Sequence, residues 1–258
     1  MSSSGIRLRD VRAGYGSRLV LDGVNVDITE GKVTSIIGPN GCGKSTLLKS
    51  IVRSLPATGT FRVGGDDVCA MSRRELARVI GMLPQTPIAP DGIIVADLVS
   101  RGRHPHQSWF KQWSVTDEEH VTHALNLTGI GDLAHRQVAS LSGGQRQRVW
   151  ISMVLAQQTP HLLLDEPTTY LDLSHAIDLL KLVSKLRDDL GRTVVMVLHD
   201  LNLAIRYSDE LIVMKDGVIV AHGSPEDVIS PRLLAEVFDL AALVTVDPVT
   251  AGPLIVPQ

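Results

Sequence analysis

The stretch KVTSIIGPNGCGKST, residues 32–46, restricts the fold more than any other part of the chain. Its opening is rich in β-branched residues and ends at a glycine, the signature of a buried strand. STLLKSIVRSL, which follows, has the spacing of a helix. Between them Gly38, Pro39, Asn40, Gly41, Cys42, Gly43, Lys44, Ser45 and Thr46 fit G-x-x-x-x-G-K-[ST]. Glycines let the backbone wrap a phosphate chain, and amides at a helix N-terminus point at the anion. Lys44 is placed to reach terminal phosphates, and the Ser45 hydroxyl can ligate Mg²⁺. The alternative is a chance glycine-rich turn, but strand, loop and helix all agree with the phosphate-binding pattern.

The rest of the chain is read around this unit. IRLRDVR and VNVDI alternate apolar and charged residues, as half-buried strands do. TFRVGG reads as a strand and SRRELARVI as a helix. From Ile93 to Gln157 the pattern is helical, with no clear strand in it. HLLLDE and TVVMVLH then read as buried strands, separated by a helix closed at Gly191. LNLAIRYS is helical, ELIVMKDGVIVAHG is a hairpin turning at Asp216-Gly217, and Ser224-Pro225-Glu226 opens a helix. Parallel strands joined by helices, with a helical insert, predict a two-lobed α/β protein.

Composition narrows the setting. The chain has 258 residues, 44% hydrophobic and 21% charged, ordinary for a globular protein with a sizeable core. A net charge of −3 offers no global positive field, so no nucleic-acid partner is expected. Two cysteines, one inside the phosphate loop, make no disulfide framework and suit a reducing compartment. MSSSGIRLRD lacks the apolar core of a signal peptide, and no apolar run is long enough to span a bilayer. The expectation is a soluble chain whose membrane role, if any, comes through a partner.

LLLDEP brings Asp165 and Glu166 to the C-terminal end of a strand, the edge where parallel sheets bind ligands. Asp165 would hold the magnesium, and Glu166 would polarise an attacking water. Without the phosphate loop, a solvent-facing acidic pair would be equally reasonable. Gln85 in LPQTP can touch metal or water, and His199, ending VVMVLH, can reach a terminal phosphate. Tyr15, in the turn AGYGS, can stack on an adenine, an interaction of about 1–3 kcal/mol by analogy with base stacking. A hydrogen-bonded histidine and a packed tyrosine are the plain structural alternatives.

LSGGQRQRV, residues 141–149, contains no acid or base suited to catalysis and no metal ligand. Ser142, Gly143, Gly144 and Gln145 stand at a helix start, where free amides and the helix dipole favour an anion. A simple capping loop uses the same amides. Tyr15, the phosphate loop, Gln85, LSGGQ, LLLDE, PTTYLD and His199 occur in the order seen in the ATP-binding subunits of ABC (ATP-binding cassette) transporters, which the chain resembles over nearly its whole length. LSGGQ is the most specific element. The resemblance implies a P-loop NTPase core with an N-terminal antiparallel β subdomain and an inserted α-helical subdomain at about residues 86–157, all in one domain, 1–258. It implies ATP and Mg²⁺ as cofactors and adds Asp172, in PTTYLD, to the nucleotide-contacting residues. It also implies a pair of subunits that sandwich ATP between the phosphate loop of one and the signature stretch of the other. Further implied partners are membrane permease subunits and, indirectly, a substrate-binding protein, with the chain on the cytoplasmic face of the membrane.

DEPTTYLDLSHAIDLLKLV and RGRHPHQSWFKQWS are similar to the ATPases of iron–siderophore importers, with vitamin B12 and haem importers as neighbours. Tyr170 belongs to that likeness. Trp109, Phe110 and Trp113 crowd three of the chain's few aromatics into five positions of a polar segment. They either dock a permease helix or pin the loop onto the helical lobe. Other function classes fit less well. A regulatory GTPase needs an N-K-x-D motif that is absent, and a small-molecule kinase leaves LSGGQ unexplained. ABC proteins of DNA repair or translation carry long coiled coils or two cassettes per chain, and neither is present in this sequence.

Overall fold

The computed structural model describes residues 5–107 and 113–258. Trp109 and Phe110 lie outside the described residues, so the aromatic cluster is represented by Trp113 alone. Trp113 is exposed and donates from its indole to Glu118 at 3.0 Å.

The central feature is a six-stranded sheet. It contains β3 (Val33–Ile37), β6 (Ile80–Leu83), β7 (His161–Asp165), β8 (Thr193–Val197), β9 (Glu210–Lys215) and β10 (Val218–Gly223), in the order β10-β9-β3-β8-β7-β6. All neighbours are parallel except the terminal hairpin β9–β10. Every residue of β3, β7 and β8 is buried, which explains their unbroken apolar runs: a parallel sheet has no solvent face. Successive side chains enter different cores. Leu162 and Leu164 join the helical side, and Leu163 joins the side of the antiparallel sheet.

That second sheet is antiparallel, ordered β2-β1-β4-β5, with β1 (Ile6–Tyr15), β2 (Arg18–Ile28), β4 (Ala57–Val63) and a two-residue β5 (Asp66–Asp67). Ile6, Leu8 and Val11 face the core it shares with α1 (Lys44–Ile51), while Arg7, Arg9 and Arg12 pair outward with Asp27, Asp10 and Asp22. The alternation in IRLRDVR is therefore the inside–outside rhythm of this sheet. Capped by Ser72, α2 (Arg73–Val79) leads directly into β6.

Between β6 and β7 the regular elements are helical: α3 (Val95–Ser100), α4 (Val115–Leu127) and α5 (Gly143–Ala156), with short 3-10 turns between them. A buried ion pair ties this region together. Arg103 donates to Asp117 at 2.8 Å and to the Ala156 carbonyl at 2.8 Å, both side chains being almost fully enclosed. Beyond β7, α6 (Leu173–Leu190) ends at Gly191 in the left-handed conformation, as its position predicts. The chain continues through α7 (Leu201–Tyr207), β9 and β10, whose Asp216-Gly217 turn has positive φ at both residues, the type I′ geometry. Two short proline-led helices follow, α8 (Pro225–Val228) and α9 (Pro231–Phe238).

Ile80 to Leu83 form β6, the strand that Gln85 follows, and the helix read from SRRELARVI stops at Val79, one residue short of Ile80. The four residues gain strand geometry only by pairing with His161 to Leu164. The apolar tail forms the hairpin β11 (Ala242–Val246) and β12 (Pro253–Pro257), packed on α7 and α9. No described helix is long and apolar enough to cross a membrane.

A candidate active site split between two clefts

The phosphate loop crosses from β3 to α1 at the C-terminal edge of the large sheet. Its glycines have steric reasons to be there. A Cβ on Gly38 would stand 2.1 Å from the Met214 carbonyl oxygen, at a φ of 151°. On Gly43 it would meet Leu21 at 2.7 Å. The loop is thus pressed between β9 and β2. The Gly217 amide also donates to the Cys42 carbonyl at 3.1 Å, so the β9–β10 turn braces the loop from behind.

Asn40, Gly41, Gly43, Lys44, Ser45, Thr46, Gln85, Glu166 and His199 line one open cleft of about 390 Å³. These side chains come from four separate strand ends, β3, β6, β7 and β8. Lys44 is buried and donates to the carbonyls of Gly38 at 2.8 Å and Pro39 at 2.9 Å, folded back on its own loop. The Ser45 hydroxyl donates to Asp165 Oδ1 at 2.7 Å.

Asp165 is fully enclosed, and among the described residues its Oδ2 has no hydrogen-bond partner. Burial pushes its carboxyl above the ordinary range; the Ser45 hydrogen bond opposes this, and neighbouring Glu166 adds to it. A buried carboxylate oxygen without a partner is costly. Its position beside the serine hydroxyl of a phosphate loop fits a divalent cation, which Ser45 and Asp165 would hold together.

Glu166 is held the other way. Burial pushes its carboxyl up, but hydrogen bonds from His199, Gln85 and Thr169 outweigh that and hold it below the usual range. His199 Nε2 lies 2.7 Å from Glu166 Oε1, and the Thr169 hydroxyl donates to Oε2 at 3.2 Å. Glu166 also has a φ of 53°, an uncommon conformation for a residue with a side chain, and such strain concentrates at functional sites. The result is an ionised carboxylate aimed into the cleft and oriented by three partners.

Two residues expected to contact the nucleotide do not line the phosphate cleft. Tyr15 closes β1 beside the hairpin turn, half exposed, and does not line the phosphate cleft. Asp172 caps α6, accepting from the His175 amide at 2.9 Å. It lines a second cleft of about 280 Å³ with Ser142, Gly144, Gln145, Arg148, Tyr170, Leu171 and His175. The two clefts share no lining residue.

Ser142 opens α5 with a capping box: its hydroxyl accepts from the Gln145 amide at 3.2 Å, and Gln145 Oε1 accepts from the Ser142 amide at 3.1 Å. Capping does not exclude an anion here, because a helix leaves its remaining first-turn amides unpaired. Gln147, Arg148 and His175 escaped the sequence reading. Gln147, buried on α5, donates to the Pro167 carbonyl at 2.9 Å and ties this helix to the loop that follows Glu166. The spacing of His175, three residues after the capping Asp172, was the available signal.

The comparisons agree with this geometry. Residues 21–169 match the family described as ABC transporter. The ferric enterobactin transport ATP-binding protein FepC of Escherichia coli is 48% identical over 260 residues, covering 100% of this chain and 96% of that protein. The petrobactin import ATP-binding protein FpuD of Bacillus anthracis is 48% identical over 245 residues, 95% of this chain and 90% of that one. Among solved structures, a metal-chelate-type ABC transporter in an inward-facing conformation superposes with a TM-score of 0.84 at 26% identity, covering 100% of this chain and 98% of that one. A dimeric ATP-binding cassette bound to ADP and Pi superposes at 0.75, with 29% identity over 85% of this chain and 98% of that one. With a phosphate loop, an oriented carboxylate and a separate signature cleft on one fold, the chain belongs to the ABC transporter family as an ATP-binding, ATP-hydrolysing subunit.

Proposed function

We propose that two copies of this chain sandwich two ATP molecules and that their closing and opening power uptake of an iron–siderophore complex through a membrane permease. The observation that carries the paired arrangement is the division of the site. Lys44, Ser45, Gln85, Glu166 and His199 line the first cleft, with Asp165 buried behind Ser45, whereas Ser142, Gly144 and Gln145 line a cleft sharing no residue with it. An ATP seated on one copy's phosphate loop would present its terminal phosphate to the other copy's α5. Asp172 would reach the same interface, and Tyr15 would approach the adenine.

Within each site Lys44 leaves its loop carbonyls for the phosphates, and the amides of the loop wrap them. Ser45 and Asp165, with Gln85 nearby, would hold Mg²⁺, which supplies positive charge against the developing negative charge on the phosphate oxygens. Glu166 accepts a proton from the attacking water, and His199 fixes the carboxylate and faces the terminal phosphate. Loss of the bridging phosphate then lets the pair reopen and moves the permease between its two states. The domain division that serves this cycle is an α/β core with a helical subdomain near residues 86–157 that presents the signature to the partner.

The cargo assignment draws on relatives named for enterobactin and petrobactin. Vitamin B12 import has a more distant parallel in a cobalamin import ATP-binding protein of Halobacterium salinarum, 42% identical over 239 residues. The chain would sit peripherally on the cytoplasmic face of the membrane, bound to the permease, with a substrate-binding protein delivering cargo from the far side. Glu166→Gln tests the scheme: the variant should dimerise when ATP is added and stall before turnover. A Glu166→Gln protein that stays monomeric and fully active would sink it.

A further inference from the structure

The second cleft contains a side-chain pair that the scheme above does not use. Asp172 Oδ1 accepts from the His175 amide at 2.9 Å and lies 2.8 Å from the same residue's Nδ1. One carboxylate oxygen is thus gripped by backbone and ring together. Two observations single this contact out from ordinary helix capping. The α6 cap needs only the backbone N–H, as at Asp200, where the carboxylate accepts from Leu203 with no ring added. The pair also stands at the proposed interface: Asp172 and His175, both exposed, line the signature cleft together with Ser142, Gly144 and Gln145. Hydrogen bonds from the His175 amide and ring hold the Asp172 carboxyl below the usual range, and Arg148, lining the same cleft, adds to this.

The loop leading to this pair is constrained from both ends. It leaves Glu166, is held by Gln147 at the Pro167 carbonyl, and passes Tyr170 at a φ of 69°. A Cβ on Gly143 would lie 3.5 Å from the Tyr170 Cβ, so the signature backbone packs on this loop. The backbone therefore brings Asp172 to the cleft, but an aspartate side chain still has rotamers to choose from. A second donor three residues along selects one of them.

We propose that His175 is a positioning residue for the composite ATP site: its imidazole orients the Asp172 carboxylate toward the signature cleft so that the incoming partner meets it preformed. The proposal rests on the paired-subunit scheme. It predicts that His175 acts only through Asp172.

A double-mutant cycle tests it, using the full chain with its permease in vesicles and steady-state ATP hydrolysis as the readout. His175→Leu should lower kcat about tenfold or more, since small misplacements at such sites cost up to about a hundredfold. ATP binding to the isolated subunit should stay unchanged. His175→Asn, whose amide can donate from nearly the same position as Nδ1, should recover most of the rate. In the Asp172→Ala background, which removes the accepting oxygen, His175→Leu should add nothing further, because residues acting as one unit are non-additive. Full additivity, or no rescue by asparagine, would overturn the proposal. Ser142→Arg serves as the control for the underlying scheme. If it leaves hydrolysis intact, the composite site is wrong; if it abolishes hydrolysis while His175→Leu is harmless, only the role of His175 falls.

Discussion

The two clefts offer different groups. The phosphate cleft gathers reactive side chains around a glycine-rich loop: a buried lysine, a serine whose hydroxyl donates to the buried Asp165, and a glutamate contacted by His199 and Thr169. The signature cleft joins the opening turn of a capped helix to a loop that brings Asp172 and His175 beside it. The first contains the groups that chemistry requires and the second contains groups that recognise charge. In the proposed pair, one cleft would bind a nucleotide and the other would meet the far end of its partner's.

That contrast can be broken in several places. Glu166→Gln should have the largest effect, a fall of about 10²–10⁴ in hydrolysis with ATP binding preserved, since it removes the proposed general base and leaves the cradle intact. Single-turnover assays beside equilibrium binding would read both quantities. Ser142→Arg should come next. It places a long side chain at the mouth of the backbone site and should cut hydrolysis by about 10² or more, as loss of a charge-stabilising donor does. ATP binding to the single chain should be untouched; if it falls too, the signature serves its own nucleotide and the contrast collapses.

The third test concerns pH and sits at the opposite end of β7 from Asp165. His161 is buried, its Nδ1 has no partner among the described residues, and burial alone lowers its pKa from 6.5 to about 4. Between those two values the unfolded chain binds a proton that the folded chain refuses. Stability is therefore complete above about pH 6.5 and declines as pH falls toward 4, by about 3 kcal/mol in all. Glu166, held below the usual carboxylate range, stays ionised across most of that window. Denaturant titrations at several pH values should show the decline in the wild type and a flatter profile in His161→Leu. An unchanged slope would assign the acid limb to the site instead. The smallest effect is expected from Gln147→Leu, which strands the Pro167 carbonyl and should cost about 1–3 kcal/mol of stability by thermal melting. A fall in turnover beyond that accounted for by unfolding would mark this contact as a link between the clefts.

Much of the fold was legible because its signals are local. The phosphate loop declares strand, turn and helix in one run, and the buried strands VTSII, HLLLD and TVVMV announce themselves by apolar content. Ser142, Ser72 and Ser224 mark helix starts by capping chemistry, and Asp216-Gly217 marks a turn. The β11–β12 hairpin was not legible. The tail carries prolines at both ends of its last strand. Both segments become strands only because a partner strand lies alongside.

The sequence by itself determined which groups the protein possesses for handling a phosphate anhydride, and the turns that place them at strand ends. Residue type and short spacing decide those features within a few bonds. Only the tertiary structure decided which groups meet. It placed Asp165 Oδ2 in the interior without a partner, set His199 and Thr169 on Glu166, and assigned Asp172 and His175 to the signature cleft and not to the phosphate cleft. These meetings join segments distant along the chain or depend on the path of one strained loop. They are settled by how two cores pack on the two faces of one sheet, and no local pattern encodes that.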